Sequence, residues 1–363
     1  MSVGTWAEQA LPPSEVAAGL ERVRVCRLLV PAPQVRIRLA PGDRPLVSAG
    51  DAVLPGTQVA ERLRDAAVLD VDLAEGRPVD EPAIEPAAEG PGPGRWWVGA
   101  DVPPGRLGRR SRPRRATGEL LHEVDGRWRM VAGEHRHPIE APIAGIVREA
   151  RPGIAIGLTV SGTGLPAAIG AGEPARGRLE LASGPDAELR PGELDVGRAG
   201  AILVVGSRID AELLSRARAM GIRGVIAGGI ASGDLRGLAA SEARQRASLH
   251  QLPPFAVLAL EGHLRRPVAS PVMAVLAALV GREVAIVSDP PMLLFDAPDL
   301  ALPEPEPDRV RVTHGALAGR EGRWAGLGGL RRFAAGVQLE AGLVRFEPGP
   351  PVAVPLADLE RFG

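Results

Sequence analysis

The sequence predicts a multidomain protein in which β modules flank a small α/β domain. Its 363 residues exceed what one hydrophobic core usually serves, so two or three domains are expected. Apolar and charged residues alternate near both ends, in QVRIRLA (34–40) and RVRV (309–312), which is typical of strands with one buried face. Between residues 200 and 288, continuous apolar runs alternate with helical segments, which indicates parallel strands joined by helices.

The composition excludes several kinds of chemistry. The formal net charge is −1, so overall charge indicates no particular partner. The chain contains no lysine, which excludes a Schiff-base lysine, a P-loop lysine and a biotinyl or lipoyl lysine. The single cysteine, Cys26, excludes an internal disulfide and a thiolate metal cluster, and it is expected to be a small buried apolar residue. No cofactor is expected.

The first predicted segments are an N-terminal extension (1–22) and a β domain (23–182). MSVGTWAEQALPP lacks the basic start and apolar core of a secretion signal. No apolar run approaches the roughly 18–20 residues that cross a bilayer. A cytoplasmic protein with no membrane partner is therefore expected.

Residues 74–116 are expected to form an exposed, mobile insertion, because Pro, Gly, Glu and Arg dominate them. Its basic end, RLGRRSRPRR, is a candidate nucleic-acid-binding loop, and Trp96 and Trp97 nearby could stack on bases. The alternative is a solvated loop that balances the acidic DEPAIEPAAE. The candidate residues are Arg109, Arg110, Arg112, Arg114 and Arg115. After the insertion, Asp125-Gly126 predicts a two-residue hairpin turn.

Two histidines follow in HRHPIEAPIAGIV. His135 and His137 share one face of a strand, and His122 could supply a third metal ligand. The alternative is an exposed strand end without metal, and the sequence favours it. No metal site is therefore assigned, and a site at these histidines stays open as the alternative.

The turn Gly50–Gly56 (GDAVLPG) and the strand Ala141–Val147 (APIAGIV) resemble the barrel-sandwich hybrid fold of lipoyl and biotinyl domains. Since the modifiable lysine is absent, the closer likeness is to non-carrier versions, such as the N-terminal domain of the Rnf-type C subunit. None of that subunit's flavin or iron–sulfur residues is present. The resemblance therefore implies a fold and no activity.

The predicted α/β domain spans residues 195–296. The strands are expected in AGAILVVG, GVIAGGI, FAVLALEG and EVAIVS, and the helices in DAELLSRARAMG, DLRGLAASEARQRASL and SPVMAVLAALVG. Four parallel strands would place a ligand crevice at their carboxyl ends. No residue is assigned a catalytic role, since no nucleophile motif such as G-x-S-x-G is present. The tentative ligand-binding residues are Gly206, Ser207, Gly228, Gly229, Ser232, Glu261, His263 and Asp289.

Residues 297–308 (APDLALPEPEPD) are expected to be an extended, self-repelling linker. The final module, 309–363, contains VRVTHGALAGREGRW, in which the spacing of Gly315, Gly319 and Gly322 resembles a KOW motif. That resemblance implies an SH3-like barrel of the kind found in NusG-type elongation factors and several ribosomal proteins. Trp324 stands where the motif usually has Val. The candidate phosphate-binding residues are His314, Arg320, Arg323, Arg331 and Arg332.

The function that the sequence favours is therefore a non-enzymatic adaptor. The C-terminal barrel would contact RNA, the ribosome or the transcription machinery, and the basic loop would assist. Two alternatives stay open. One is an enzyme or a binder of a phosphorylated metabolite that uses the α/β crevice, and the other is an assembly factor that binds only proteins.

Overall fold

A computed structural model describes residues 19–64, 67–73, 77–78, 91, 96–102, 114–132, 135–247, 253–334 and 336–363. Strand accounts for 49% and helix for 14%, which confirms a β-rich fold. In these ranges the α-helices are α1 (Ala211–Ala219), α2 (Ser232–Ala247) and α3 (Ser270–Ala278). No helix in these ranges is long and apolar enough to cross a membrane.

The strands are short and numerous, as the many glycines and prolines suggest. The first half contains β1 (Arg24–Cys26), β2 (Val30–Pro31), β3 (Gln34–Arg38), β4 (Arg44–Pro45), β5 (Ala52–Val53), β6 (Gln58–Arg64), β7 (Ala67–Val71), β8 (Arg77–Pro78), β9 (Trp96–Val102), β10 (Arg114–Val124), β11 (Arg127–Ala132), β12 (His135–Glu140), β13 (Gly145–Arg151) and β14 (Ala155–Val160). The second half contains β15 (Thr163–Pro166), β16 (Ile169–Gly172), β17 (Ala175–Leu181), β18 (Ala201–Val204), β19 (Arg208–Ile209), β20 (Gly224–Ile230), β21 (Ala256–Gly262), β22 (Glu283–Ser288), β23 (Pro291–Phe295), β24 (Arg309–Val312), β25 (Glu321–Arg332), β26 (Gln338–Arg345), β27 (Pro351–Pro355) and β28 (Leu359–Phe362).

Two small sheets form the N-terminal module. Their strand orders are β3-β14-β13-β5 and β12-β6-β4, and their apolar side chains share one core. In β3 the alternation predicted from sequence is present, since Val35 and Ile37 are buried while Arg36 and Arg38 are exposed. The predicted boundary at residue 182 is wrong, because the module ends at β14 and β15–β17 enter the next sheet.

The segment 74–116 contributes strands to a five-stranded sheet of order β7-β11-β10-β9-β8. The prediction of a mobile insertion is therefore wrong for β8 and β9. The predicted hairpin is confirmed, because Val124 pairs with Arg127 and both Asp125 and Gly126 have positive φ. Trp97 is buried in the core of this sheet, so it is not free to stack on a base.

The largest sheet has the order β16-β21-β20-β18-β17-β22-β23-β15-β2, with β19 beside β20. Helix α1 packs on one face and α3 on the other, which explains why β18 and β20 are apolar along their whole length. The strands β17, β18, β20 and β21 are parallel, as predicted for three of the four apolar runs. The fourth run is β22, and it lies antiparallel to β17, so the prediction of four parallel strands is wrong.

The C-terminal module is a six-stranded sheet of order β1-β28-β24-β25-β26-β27. Its core surrounds Trp324 and Val344, and Val23 from the N-terminal region completes it. Residues 23–26 were predicted to open the N-terminal domain. They lie here instead, because β1 pairs in parallel with β28.

The predicted linker is not a free spacer. Leu300 and Leu302 pack against the core of the large sheet, and Arg282 donates hydrogen bonds of 3.2 and 2.9 Å to the Asp299 carboxylate. The apolar residues among the prolines explain this docking, since their burial outweighs the self-repulsion of the acidic residues. The C-terminal sheet is therefore held against the rest of the chain.

Candidate docking surface

The five candidate phosphate-binding residues of the C-terminal module do not form one basic patch. Arg323 donates to Asp308 at 3.1 Å and to Glu306 at 3.0 Å, so the acidic linker neutralises it. Arg331 and Arg332 lie at the far end of β25, about 20–25 Å along the strand from Arg323.

The other two candidates lie in and beside the glycine-rich turn before β25. The exposed His314 is 3.6 Å from Asp358, and the Arg320 guanidinium lies 4.8 Å from the centre of the Phe346 ring. Each of these basic side chains therefore has a partner within its own module.

This turn is docked on the large sheet, close to α3. The Glu321 carboxylate accepts a 2.6 Å hydrogen bond from the backbone N–H of Ser270, and Gly319 lies against Pro267. Beneath it, Arg311 forms a buried ion pair with Glu261 of β21. The face that a KOW-like motif would present is therefore partly covered by the chain itself.

The candidate residues of the basic loop are described only at its end. Arg109, Arg110 and Arg112 lie outside the described residues. Arg114 begins β10, and Arg115 is 3.9 Å from the Asp101 carboxylate.

An exposed apolar surface remains at the end of the β25–β26 hairpin, which we call the hairpin tip (residues 327–340). Leu327, Leu330, Val337 and Leu339 are 42%, 70%, 51% and 40% exposed. Single exposed apolar residues are ordinary on protein surfaces, whereas a group of them on one element is a candidate interaction surface. This surface was not predicted from the sequence, because residues 309–363 were expected to form a closed SH3-like barrel.

The strand pairing shows how the apolar residues are arranged. Trp324 pairs with Val344 in the core, and Leu330 pairs with Glu340 farther along. Positions alternate along β26, so Leu330 lies on the same face as Trp324, beyond the part that the core covers. Leu339 pairs with Arg331 and lies on the opposite face. Both faces of the hairpin tip therefore carry apolar side chains.

Two arginines accompany this apolar surface. Arg331 donates to the carbonyl of Gly328 at 2.9 Å, and Arg332 is exposed at the end of β25. In the described ranges neither is paired with a carboxylate, whereas Glu340 is paired with Arg22. The hairpin tip therefore combines apolar side chains with net positive charge.

The ligand crevice predicted at the carboxyl ends of the parallel strands is filled by the chain. A Cβ atom on Gly228 would overlap the carbonyl oxygen of Arg266, and one on Gly229 would overlap that of Leu264. Gly206 lies equally close to the carbonyl of Ala187. These glycines permit close approach of backbone to backbone, so a phosphate has no space above them.

The polar residues of the predicted crevice are likewise engaged. Ser207 is fully buried, and its hydroxyl donates to Asp186 O at 3.1 Å. His263 Nδ1 lies 3.2 Å from Ser232 Oγ and 3.1 Å from Ile230 O, so this ring nitrogen is satisfied locally. Glu261 is paired with Arg311, as described above.

Asp289 does not join the other candidate ligand residues. It follows β22, which is antiparallel to its neighbour β17, so it lies toward the opposite edge of the sheet. There Asp289 accepts hydrogen bonds from Arg36 at 3.0 Å and Arg38 at 3.1 Å.

A cavity of about 860 Å³ lies near that opposite edge, between the N-terminal module and the large sheet. Proline and arginine are prominent in its lining. Arg62 binds Asp43 and Glu173 there. Burial lowers the pKa of Arg62, but these partners outweigh burial and raise it above its ordinary value. Arg62, which lines the cavity, is therefore already engaged by two carboxylates.

No group of three His, Cys, Asp or Glu side chains in the described ranges is arranged to hold a metal ion. His135 and His137 occupy strand β12, which pairs with β6. Their side chains lie outside the described part of the structure, so the metal hypothesis for them stays a prediction.

Comparison with known proteins gives no family to which the chain can be assigned. No protein-family model matches it, and no curated protein is similar to it at the level required for a match. In the described part of the chain, the hairpin tip groups four exposed apolar side chains on one hairpin.

Proposed function

We propose that the protein is a non-enzymatic adaptor that uses the hairpin tip of its C-terminal, KOW-like module to bind a protein component of a larger assembly, such as the ribosome or the transcription machinery. The observation that supports this most strongly is the exposure of Leu330 and its apolar neighbours on the β25–β26 hairpin. The surrounding modules hold this hairpin in place through the buried Arg311–Glu261 pair and the docked linker.

The composition of the surface favours a protein partner. Fully burying a leucine side chain contributes about 1.5–3 kcal/mol, and Leu330 begins 70% exposed. Arginine is also enriched at protein interfaces, where its planar guanidinium binds carboxylates. Arg331 and Arg332 would then select a partner that carries acidic residues beside an apolar segment.

The test is purification of the tagged full-length chain from its native cells, with bound protein and bound RNA quantified separately. Leu330→Glu places a charge in the contact, and it is expected to reduce the amount of protein partner recovered at least tenfold. Leu264→Glu is the matched control, because Leu264 is 62% exposed on the large-sheet module. Retention of every protein partner by Leu330→Glu would contradict the proposal.

RNA contact is a second candidate, favoured by the two arginines of the hairpin tip that have no carboxylate partner in the described ranges. In that case Arg331→Gln/Arg332→Gln would release RNA, and the affinity of the parent chain would fall steeply with salt. Release of RNA by the arginine variant, with no effect of Leu330→Glu, would favour this candidate over the first.

A further inference from the structure

The described chain begins on the hairpin tip. Gly19 is buried and lies against Leu327 so closely that a Cβ atom there would be 2.5 Å from the leucine Cγ. The φ angle of Gly19 is +90°, a conformation that favours glycine. Gly19, where the described chain begins, therefore lies at the apolar surface itself.

Two further contacts fix this entry point. Leu20 packs against the core around Trp324, and Arg22 forms an ion pair with Glu340 of the hairpin. The Arg22 pair neutralises the acidic residue Glu340 on β26. Among the described residues, Arg331 and Arg332 are left as the charges of this surface without a carboxylate partner.

The sequence of residues 1–18 has the complementary chemistry. It carries the large apolar residues Trp6, Leu11 and Val16. Its charged side chains are Glu8 and Glu15, and it contains no arginine or histidine. Its sequence is thus acidic and apolar, whereas the hairpin tip is basic and apolar.

Distance does not prevent contact. Leu327 and Leu330 are three positions apart on β25, about 10 Å, which three or four extended residues can span. Tethering at Gly19 also gives the segment an effective concentration of the order of millimolar at the surface. A separate molecule of equal affinity would need a higher concentration than this to displace it.

We propose that residues 1–18 bind the hairpin tip of their own chain and cover Leu330 until a partner displaces them. The regulatory role rests on the proposed function, because the segment and the partner would compete for the same surface. The contact itself can be tested without any partner.

The experiment measures the alkylation rate of a thiol placed at the covered position. Cys26→Ser removes the single native cysteine, and Leu330→Cys is then introduced into the full-length chain. Replacing Trp6 and Leu11 together by Ala is expected to raise the alkylation rate of this thiol about fivefold. Thr5→Ala is the matched control within the segment and should leave the rate unchanged.

A second reporter separates a local effect from a general change in the protein. A thiol at Leu264, on the large-sheet module, should react at the same rate with and without the Trp6 and Leu11 substitutions. Equal rates at position 330 in both backgrounds would overturn the proposal. Protection that rises with protein concentration would also overturn it, because the occupant would then be a second copy.

The outcomes distinguish the two hypotheses. If the segment protects position 330 but Leu330→Glu retains all protein partners, the intramolecular contact stands and the adaptor function fails. If position 330 is unprotected but Leu330→Glu loses its partner, the adaptor function stands and the intramolecular contact fails.

Discussion

Removal of Arg311 is expected to weaken the attachment of the C-terminal sheet to the large sheet more than any surface substitution. The side chains of Arg311, Glu261 and Glu360 are 4%, 8% and 10% exposed. Arg311 donates to Glu261 at 2.9 Å through Nη1, and the same Nη1 lies 3.7 Å from Glu360. Arg311→Met would keep most of the volume but leave buried carboxylates without this cation.

Breaking a buried pair by removing one partner costs about 3–5 kcal/mol. Some amide hydrogens of β24 exchange only when the C-terminal sheet detaches from the large sheet. In Arg311→Met these hydrogens should exchange about 10²–10⁴-fold faster, as measured by hydrogen exchange and mass spectrometry. Arg24→Met is the control, because Arg24 also binds Glu360 but is 70% exposed, so its loss should cost less than about 1 kcal/mol.

A double substitution tests whether the destabilisation comes from the buried carboxylate that is left without its cation. Arg311→Met combined with Glu261→Met removes both charges, and it should recover most of the lost protection. If Arg311→Met accelerates exchange in β24 by less than tenfold, the pair does not hold the sheets together.

Three further predictions concern packing and ionisation. Gly228→Ala should lower the free energy of unfolding by about 1–3 kcal/mol, because the new methyl group meets a backbone carbonyl. Gly233→Ala, in the open first turn of α2, should instead raise the free energy of unfolding by up to about 1 kcal/mol. Denaturant titration of both variants checks this. Burial raises the pKa of the Cys26 thiol, so alkylation of the wild-type chain should be slow at neutral pH and still rise with pH above 9, and a plateau below pH 8 would contradict this. Hydrogen bonds from Arg282 lower the pKa of Asp299. Their contribution to stability is therefore present above the unfolded pKa of Asp299 and is lost as the pH falls through the lower folded pKa. Arg282→Gln should return the Asp299 pKa, measured by NMR, to its ordinary range.

Local patterns predicted much of the secondary structure but not its pairing. The apolar runs of β18, β20 and β21 and the Asp125-Gly126 turn lie where the sequence indicates. The direction of β22 was missed, because an apolar run reads the same in either orientation. The pairing of β1 with β28 was missed because a strand carries no local mark of a partner more than 300 residues away.

The candidate sites show the same limit. Glycines such as Gly228 indicate close approach at a sheet edge, but they do not specify whether a phosphate or the chain's own carbonyl approaches. The arginines of residues 320–332 are close in sequence, yet an extended strand separates Arg323 from Arg332. Exposure of Leu330 depends on where the core of the C-terminal sheet ends, which no local pattern records.

The parallel pairing of β1 with β28 also constrains the order of assembly during synthesis. Arg24 leaves the ribosome early, but its partner Glu360 is made more than 300 residues later. Until then the backbone N–H and C=O groups at the edge of β1 lack the strand with which they pair. Closing so long a loop is also slow. The C-terminal sheet can therefore form completely only after β28 has been translated, and nascent chains stalled before residue 359 should expose β1 to proteases and chaperones.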